Sequence, residues 1–162
     1  MMNSTHNIWT KIVQKLIQKN LTISTMESCT GGGIASAITN ISGASAVLRE
    51  SFVTYCNEAK VKQGVPKVLI DQYTVYSPEV AIAMAKAAKE QADSDIGIGV
   101  TGQLGRIDPA NPVDKLNTVW YAIIDEENQV KVEELKVPDN ERIEQKEYII
   151  QQVANSLLEE GE

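Results

Sequence analysis

Apolar residues recur at every third or fourth position in three long stretches of the chain, a spacing typical of amphipathic helices. The first predicted helix runs over Ile8–Lys19 and ends at Asn20, a residue common at helix C-termini. The second begins at Ser77-Pro78, an N-capping serine followed by a proline suited to the first helical position, and runs to about Ala92. Its many alanines indicate close packing on a sheet. The third helix is predicted over Glu141–Glu160.

Short apolar runs between these helices predict strands. The predicted strands are Leu21–Met26, a segment of Val47–Cys56 centred on Phe52, Val53 and Tyr55, then Ile96–Thr101, Thr118–Ile124 and Val130–Val137. Gly97 and Gly99 allow tight approach of neighbours to the third of these. Shorter helices are predicted over Ile34–Thr39 and from Asn57, as capping residue, to about Gln63. Residues 102–117 are predicted to form a loop.

The order of these elements indicates the fold class. Strands alternate with helices early in the chain, and a hairpin across residues 126–128 comes late. This order predicts one domain, residues 1–162, with an α/β fold of three layers, α/β/α, and a mixed, mostly parallel sheet. The hairpin supplies one antiparallel strand.

Charge and composition exclude several classes of protein. The net charge is −7 with no strongly basic stretch, which argues against nucleic acid as the main partner because phosphate backbones are bound by clustered Lys and Arg. No run approaches the roughly 20 consecutive apolar residues of a membrane span, and the first residues show no signal-peptide pattern. The two cysteines, Cys29 and Cys56, do not indicate a disulfide. We therefore expect a cytoplasmic protein that does not bind membranes.

Ser28 is the hydroxyl best placed for chemistry. It follows a predicted strand and precedes Thr30-Gly31-Gly32-Gly33 and a helix, so backbone N–H groups would point outward there. Such a turn is suited to stabilising an oxyanion or binding a phosphate, and its glycines allow close approach of a ligand. The structural alternative has equal weight, because serine and threonine also cap helices and glycines also pack helices on sheets. Cys29 is an alternative nucleophile, although a small buried residue is its commoner role.

Lys60 is the candidate base. The only histidine, His6, lies near the chain's start, so a Ser-His-Asp triad would depend on a terminal segment. Lys60 falls in the first turn of a predicted helix, where the helix dipole and partial burial would lower its pKa, and a neutral lysine can deprotonate a serine. A solvated surface lysine, like Lys62, is the plain alternative. Tyr55 could donate or relay a proton, or be an ordinary strand aromatic.

Other residue groups indicate where a ligand would and would not bind. No cluster of His and Cys has the spacing of metal ligands, so no metal site is predicted. Thr101 and Gly102 end a predicted strand, and open α/β sheets usually bind ligands at that edge. Simple strand-to-loop punctuation is the alternative for this pair.

Four motifs together resemble a known family. They are Glu27-Ser28-Cys29-Thr30-Gly31-Gly32, the segment from Phe52 to Lys60, the segment from Val75 to Ala81, and Val100-Thr101-Gly102. In this order they are similar to the C-terminal domain of competence/damage-inducible protein CinA, a family that includes nicotinamide-nucleotide amidohydrolase. The resemblance extends from about Ile8 to Leu158.

The resemblance implies a five-stranded mixed sheet and hydrolysis of the carboxamide of nicotinamide mononucleotide to nicotinic acid mononucleotide and ammonia, with no metal or organic cofactor. It implies Ser28 as nucleophile, with Lys60 and Tyr55 as its activating partners. The expected partners are a small nucleotide substrate and further copies of the chain, for example in a dimer. The expected substrate contacts are Thr30, Gly31, Gly32, Asn57, Thr101, Gly102, Arg142 and Lys146, of which Arg142, Lys146 or the Thr101 loop would hold the phosphate.

The sequence also departs from the family pattern. The loop after Gly102 begins Gln103-Leu104-Gly105-Arg106 where the family has small residues, proline and glycine, and Lys146 stands where an arginine is expected. Arginine and lysine are not equivalent anion ligands. Two alternatives therefore remain: a non-catalytic nucleotide-binding or regulatory module on the same fold, and an amidase with another small substrate.

Overall fold

The computed structural model describes residues 4–160, which form a five-stranded sheet with helices on both faces. The strands are β1 (Ile23–Glu27), β2 (Leu48–Val53), β3 (Ile96–Gln103), β4 (Thr118–Ile124) and β5 (Val130–Lys136). The helices are α1 (Ser4–Lys19), α2 (Gly33–Thr39), α3 (Asn57–Lys62), α4 (Lys67–Tyr73), α5 (Pro78–Ala92) and α6 (Arg142–Glu160), with a 3₁₀ turn at Ala44–Ala46. Within residues 4–160, no helix is long and apolar enough to cross a membrane.

The sheet has the order β2-β1-β3-β4-β5. The strand β1, next to the edge strand β2, pairs in parallel with both β2 and β3. The strand β4 runs antiparallel to both of its neighbours, β3 and β5. The mixed five-stranded sheet and its one antiparallel strand are therefore confirmed.

Two separate apolar cores fill the space between the three layers. On one face, α1, α2 and α6 cover Ile98, Val100 and Tyr121. On the other face, α5 covers Met26, Trp120 and further residues of the sheet. The helices α1, α2, α5 and α6 each bury apolar side chains in one of these cores, and such burial is the main source of stability in layered domains.

The α5 helix lies unusually close to β3. A Cβ atom at Gly99 would lie 2.2 Å from the Ala81 carbonyl oxygen, and one at Gly97 would lie 2.3 Å from that of Ala85. Backbone therefore packs directly on backbone, which confirms the close approach predicted from the alanines and glycines. The helix begins as predicted, since the Ser77 hydroxyl accepts a hydrogen bond from the Val80 N–H at 3.3 Å.

The structure differs from the local predictions in three respects. Asn57 does not cap α3: Cys56 occupies the capping position, and Asn57 is the first helical residue. The α4 helix was not predicted, because none of its residues is fully buried and it shows no clear apolar stripe. The ends of two strands also differ, since β2 stops at Val53, before Tyr55, and β3 continues through Gly102 to Gln103 by pairing with β4.

Candidate active site

The candidate site lies at the carboxyl ends of the three adjacent parallel strands. Ser28 directly follows β1, Lys60 lies on the helix after β2, and Gly102 lies near the end of β3. The α2 connection from β1 to β2 covers one face of the sheet, and the α5 connection from β2 to β3 covers the other. The strand order thus reverses beside β1, which is where open α/β sheets form ligand-binding crevices.

The structure brings Lys60 and Ser28 together. The Lys60 Nζ donates to the Ser28 Oγ at 3.2 Å and to the Thr54 carbonyl at 2.6 Å. Lys60 is only 1% exposed, so it is not the solvated surface residue of the plain alternative, whereas Lys62 is exposed. Burial lowers the pKa of Lys60 from 10.5 to about 8, because desolvation penalises its charged form. A neutral amine is therefore accessible next to a hydroxyl at mildly alkaline pH.

Glu27 occupies backbone N–H groups at the start of α2, where an oxyanion or a phosphate was expected to bind. Its buried carboxylate accepts hydrogen bonds from the N–H groups of Ile34 and Ala35, at 2.8 and 3.0 Å, in the first turn of α2. It also accepts from the Thr30 hydroxyl at 2.7 Å. These donors are therefore occupied by an internal carboxylate, and the fully buried Thr30 side chain faces Glu27 rather than a ligand.

A cavity of about 490 Å³ opens beside Ser28 and is called the site cavity below. Its volume falls within the roughly 300–1,000 Å³ of small-molecule sites. Four of the predicted partners and ligand contacts line it: Tyr55, Asn57, Gly102 and Arg142. The remaining predicted contacts do not: Thr30, Gly31, Gly32, Thr101 and Lys146.

Arg142 and Tyr55 form one wall of the site cavity. The Arg142 guanidinium donates to the Tyr55 hydroxyl at 2.9 Å and to the Leu104 carbonyl at 3.0 Å. Tyr55 is 62% exposed, and its hydroxyl accepts from Arg142, whereas the hydrogen bonds of Lys60 go to Ser28 and Thr54. The hydroxyl of Thr101 is buried and donates to the Val75 carbonyl at 2.9 Å.

Lys146 lies beside the glycine turn, outside the lining of the site cavity. A Cβ atom at Gly31 would lie 3.5 Å from the Lys146 Nζ. Gly31 and Gly32 both have positive φ, at 59° and 91°, so the turn depends on glycine for its backbone conformation. Their role here is conformational, and the ligand contacts expected of them remain predictions.

The loop between β3 and β4 contributes residues that the sequence did not identify as functional. Asp108 accepts hydrogen bonds from the Tyr76 hydroxyl at 2.8 Å and from the Asn111 amide at 2.9 Å. Asn111 also exchanges side-chain hydrogen bonds with Asn57. Desolvation raises the pKa of Tyr76, and its hydrogen bond to Asp108 raises it further. These contacts span distant parts of the chain, so only Asp108-Pro109, a polar turn signal, could have drawn attention to this loop.

Cys29 is poorly suited to be the nucleophile. It is buried, and desolvation raises the pKa of its thiol to about 12, which disfavours the reactive thiolate. Cys29 and Cys56 are both free thiols. Among residues 4–160, no three His, Cys, Asp or Glu side chains are grouped as metal ligands would be.

Comparison with known proteins places this geometry in context. Residues 5–160 match the family model of the CinA C-terminal domain. The nicotinamide-nucleotide amidohydrolase PncC of Pseudomonas putida is 40% identical over 114 residues, which are 70% of this chain and 71% of that protein. The solved structure of a competence/damage inducible protein from Agrobacterium tumefaciens is 28% identical, with a TM-score of 0.88 over 98% of this chain and 96% of that one.

Other relatives are much longer than this chain. A CinA-like protein of Citrifermentans bemidjiense is 45% identical over 112 residues, which are 68% of this chain but 27% of that protein. The matched segments cover 24–29% of the curated relatives from Clostridium kluyveri, Citrifermentans bemidjiense and Kosmotoga olearia.

Proposed function

The chain belongs to the family of CinA C-terminal domains, and on that premise we propose that it hydrolyses the carboxamide of nicotinamide mononucleotide. The products would be nicotinic acid mononucleotide and ammonia. One observation carries the proposal: the buried amine of Lys60 lies 3.2 Å from the Ser28 hydroxyl at the edge of a cavity of ligand size. The name of the Pseudomonas putida relative supports the same reaction class.

The first half of the reaction forms an acyl-enzyme. The Ser28 Oγ attacks the amide carbon while its proton passes to the neutral Lys60 amine. The tetrahedral intermediate then breaks its C–N bond, and the protonated Lys60 returns the proton to the departing nitrogen, which leaves as ammonia. The hydrogen bond to the Thr54 carbonyl occupies one Lys60 N–H and so orients the amine toward Ser28.

The second half releases the acid. A water molecule attacks the Ser28 ester, and Lys60 accepts its proton. The bond between the acyl carbon and Oγ breaks, and Ser28 recovers its hydrogen from Lys60. The acid product loses its remaining proton to solvent and leaves as a carboxylate. Because the first-turn N–H groups of α2 bind Glu27, other donors near Ser28 must stabilise the oxyanion.

Arg142 is the residue that we propose for the substrate phosphate. It lines the site cavity and is exposed, and its guanidinium presents a planar set of donors suited to phosphate oxygens. Lys146 lies outside the lining of this cavity and is the weaker choice.

The test is release of ammonia from nicotinamide mononucleotide by the purified chain. Ser28→Ala should abolish release while preserving the thermal unfolding transition. Ser36→Ala, which changes an exposed serine of α2, is the matched control and should retain wild-type turnover. Turnover by a well-folded Ser28→Ala protein would reject the nucleophile.

The altered loop favours one second candidate, an amidase with another small substrate. Asp108 and Asn111 place this loop against the wall of the site cavity, where it would contact whatever ligand binds. Hydrolysis of other aromatic or aliphatic carboxamides, with none of nicotinamide mononucleotide, would select this candidate. Binding of the nucleotide without any hydrolysis would instead indicate a regulatory module.

A further inference from the structure

Asp108 is a carboxylate fixed in the wall of the site cavity. Three donors hold it: the Tyr76 hydroxyl at 2.8 Å, the Asn111 amide at 2.9 Å and the Ala110 N–H at 2.9 Å. These bonds lower its pKa, the Asn111 bond most strongly, so the group is negatively charged at neutral pH. None of the three partners is a cation, and no described residue forms an ion pair with Asp108.

The other charged side chains that line the site cavity are more exposed to solvent than Asp108. Glu58, Arg106 and Arg142 also line it, but all three side chains are exposed to solvent, whereas Asp108 is partly buried. Water screens exposed charges more strongly than a partly buried one. Of the two carboxylates that line the cavity, Asp108 is therefore the one whose charge is screened less by solvent.

The field of Asp108 reaches the reacting pair. Asp108 and Lys60 interact electrostatically, and Lys60 lies in hydrogen-bond contact with Ser28. A substrate's amide carbon must come within bonding reach of the Ser28 Oγ. In an aromatic carboxamide the ring is bonded directly to that carbon, so the ring also lies within the field of Asp108.

We propose that Asp108 is a specificity-determining residue that selects carboxamides carried on a permanently cationic heteroaromatic ring over neutral aromatic amides. The inference rests on the proposed function and extends it to a substrate class. The fixed carboxylate stabilises the positive ring when the substrate binds. It also repels the newly formed carboxylate of the product, because hydrolysis exchanges a neutral amide for an anion close to Asp108, and this favours product release.

The experiment compares two substrates that differ in ring charge. Nicotinamide mononucleotide carries a pyridinium ring, and its 1,4-dihydro form carries a neutral ring with the same amide, ribose and phosphate. We expect Asp108→Asn to lower kcat/KM for the cationic substrate about tenfold, the effect of charges roughly 6 Å apart at an effective dielectric constant between those of surface pairs and water. For the dihydro substrate, kcat/KM should change by less than about twofold.

The comparison separates charge selection from two other effects. A change in the basicity of Lys60 or in the order of the loop would lower kcat/KM for both substrates by the same factor. Such a change therefore leaves the ratio of the two kcat/KM values as it is in the wild type. Asp114→Asn removes the same charge from an exposed position of the same loop, outside the cavity lining, and should leave that ratio unchanged.

Equal losses for the two substrates, or no loss for either, would overturn the proposal. Absence of ammonia release by the wild type would reject the proposed function instead. In that case, the affinities of the Ser28→Ala protein for the two nucleotides test whether Asp108 selects the cationic ring. A preference for the cationic nucleotide that Asp108→Asn removes supports charge selection. Equal or undetectable affinities for the two nucleotides overturn it.

Discussion

Replacing Lys60 by methionine should change how the stability of the protein depends on pH. Folding lowers the pKa of this lysine from 10.5 to about 8, so between these values the unfolded chain binds one more proton than the folded chain. Stability from this group therefore rises with pH through that window. Below pH 8 the folded protein carries a buried ammonium, and lowering its pKa from 10.5 to about 8 corresponds to a cost of about 3 kcal/mol.

The size of this pH dependence follows from the linkage between proton binding and folding. Between pH 7 and pH 9.5, the free energy of unfolding of the wild type should rise by about 2 kcal/mol relative to that of Lys60→Met. Methionine also leaves the Thr54 carbonyl without its lysine donor, which costs about 1–2 kcal/mol at every pH. Because this second cost is constant, only the slope of the difference reports the pKa of Lys60.

Urea unfolding at several pH values measures this slope directly. Lys62→Met is the matched control, since the exposed Lys62 stays in water on folding, and its difference from wild type should be flat with pH. A flat difference for Lys60→Met would refute the reasoning, because it would mean that Lys60 titrates alike in the folded and unfolded chains. A falling difference would show that its folded pKa is raised.

Five further outcomes are expected. The value of kcat/KM should increase with pH up to about 8 and then level off, and Lys60→Arg should lose turnover while still binding nucleotide, because arginine stays protonated. Turnover should survive exhaustive EDTA treatment; loss restored by one divalent ion would contradict this. Glu27→Gln should lower the free energy of unfolding by about 2–4 kcal/mol in urea titrations, because an amide cannot accept from all of its donors. Gly99→Ala should cost at least about 2 kcal/mol in the same assay, since its Cβ would meet the Ala81 carbonyl.

The fold was largely predictable because its main elements carry local signals. Ser77-Pro78 marks the start of α5, and two apolar runs separated by a polar turn predict the β4–β5 hairpin. The prediction that Asn57 caps α3 failed because its side chain instead bonds to Asn111, a tertiary contact that no local pattern encodes. The α4 helix was missed for a different reason: none of its side chains is fully buried, so its sequence shows no helical pattern of apolar residues.

The candidate site was only partly predictable from physical chemistry. Ser28 and Lys60 could each be singled out, but their juxtaposition depends on the parallel pairing of β1 with β2, which local sequence does not reveal. Only the family resemblance implied that Ser28 and Lys60 act together as nucleophile and activating partner. The roles of Glu27 and Asp108 were not foreseen, because both depend on hydrogen bonds made after the chain has folded.

The loop at residues 104–117 makes this domain suited to protein engineering by segment exchange. Gln103 and Thr118, which flank the loop, are paired across neighbouring strands, so both ends of any inserted segment are held at a fixed separation by the sheet. The entropy of closing a flexible loop grows slowly with its length, by about 0.6 kcal/mol per doubling. The entropy of closure therefore changes little with the length of an exchanged segment, and the larger cost is the loss of the buried Leu104 side chain and of the hydrogen bonds of Asp108 and Asn111. Ser28 and Lys60 lie on other connections of the chain, so segments that keep these contacts would vary the lining of the site cavity while leaving the proposed reacting pair in place.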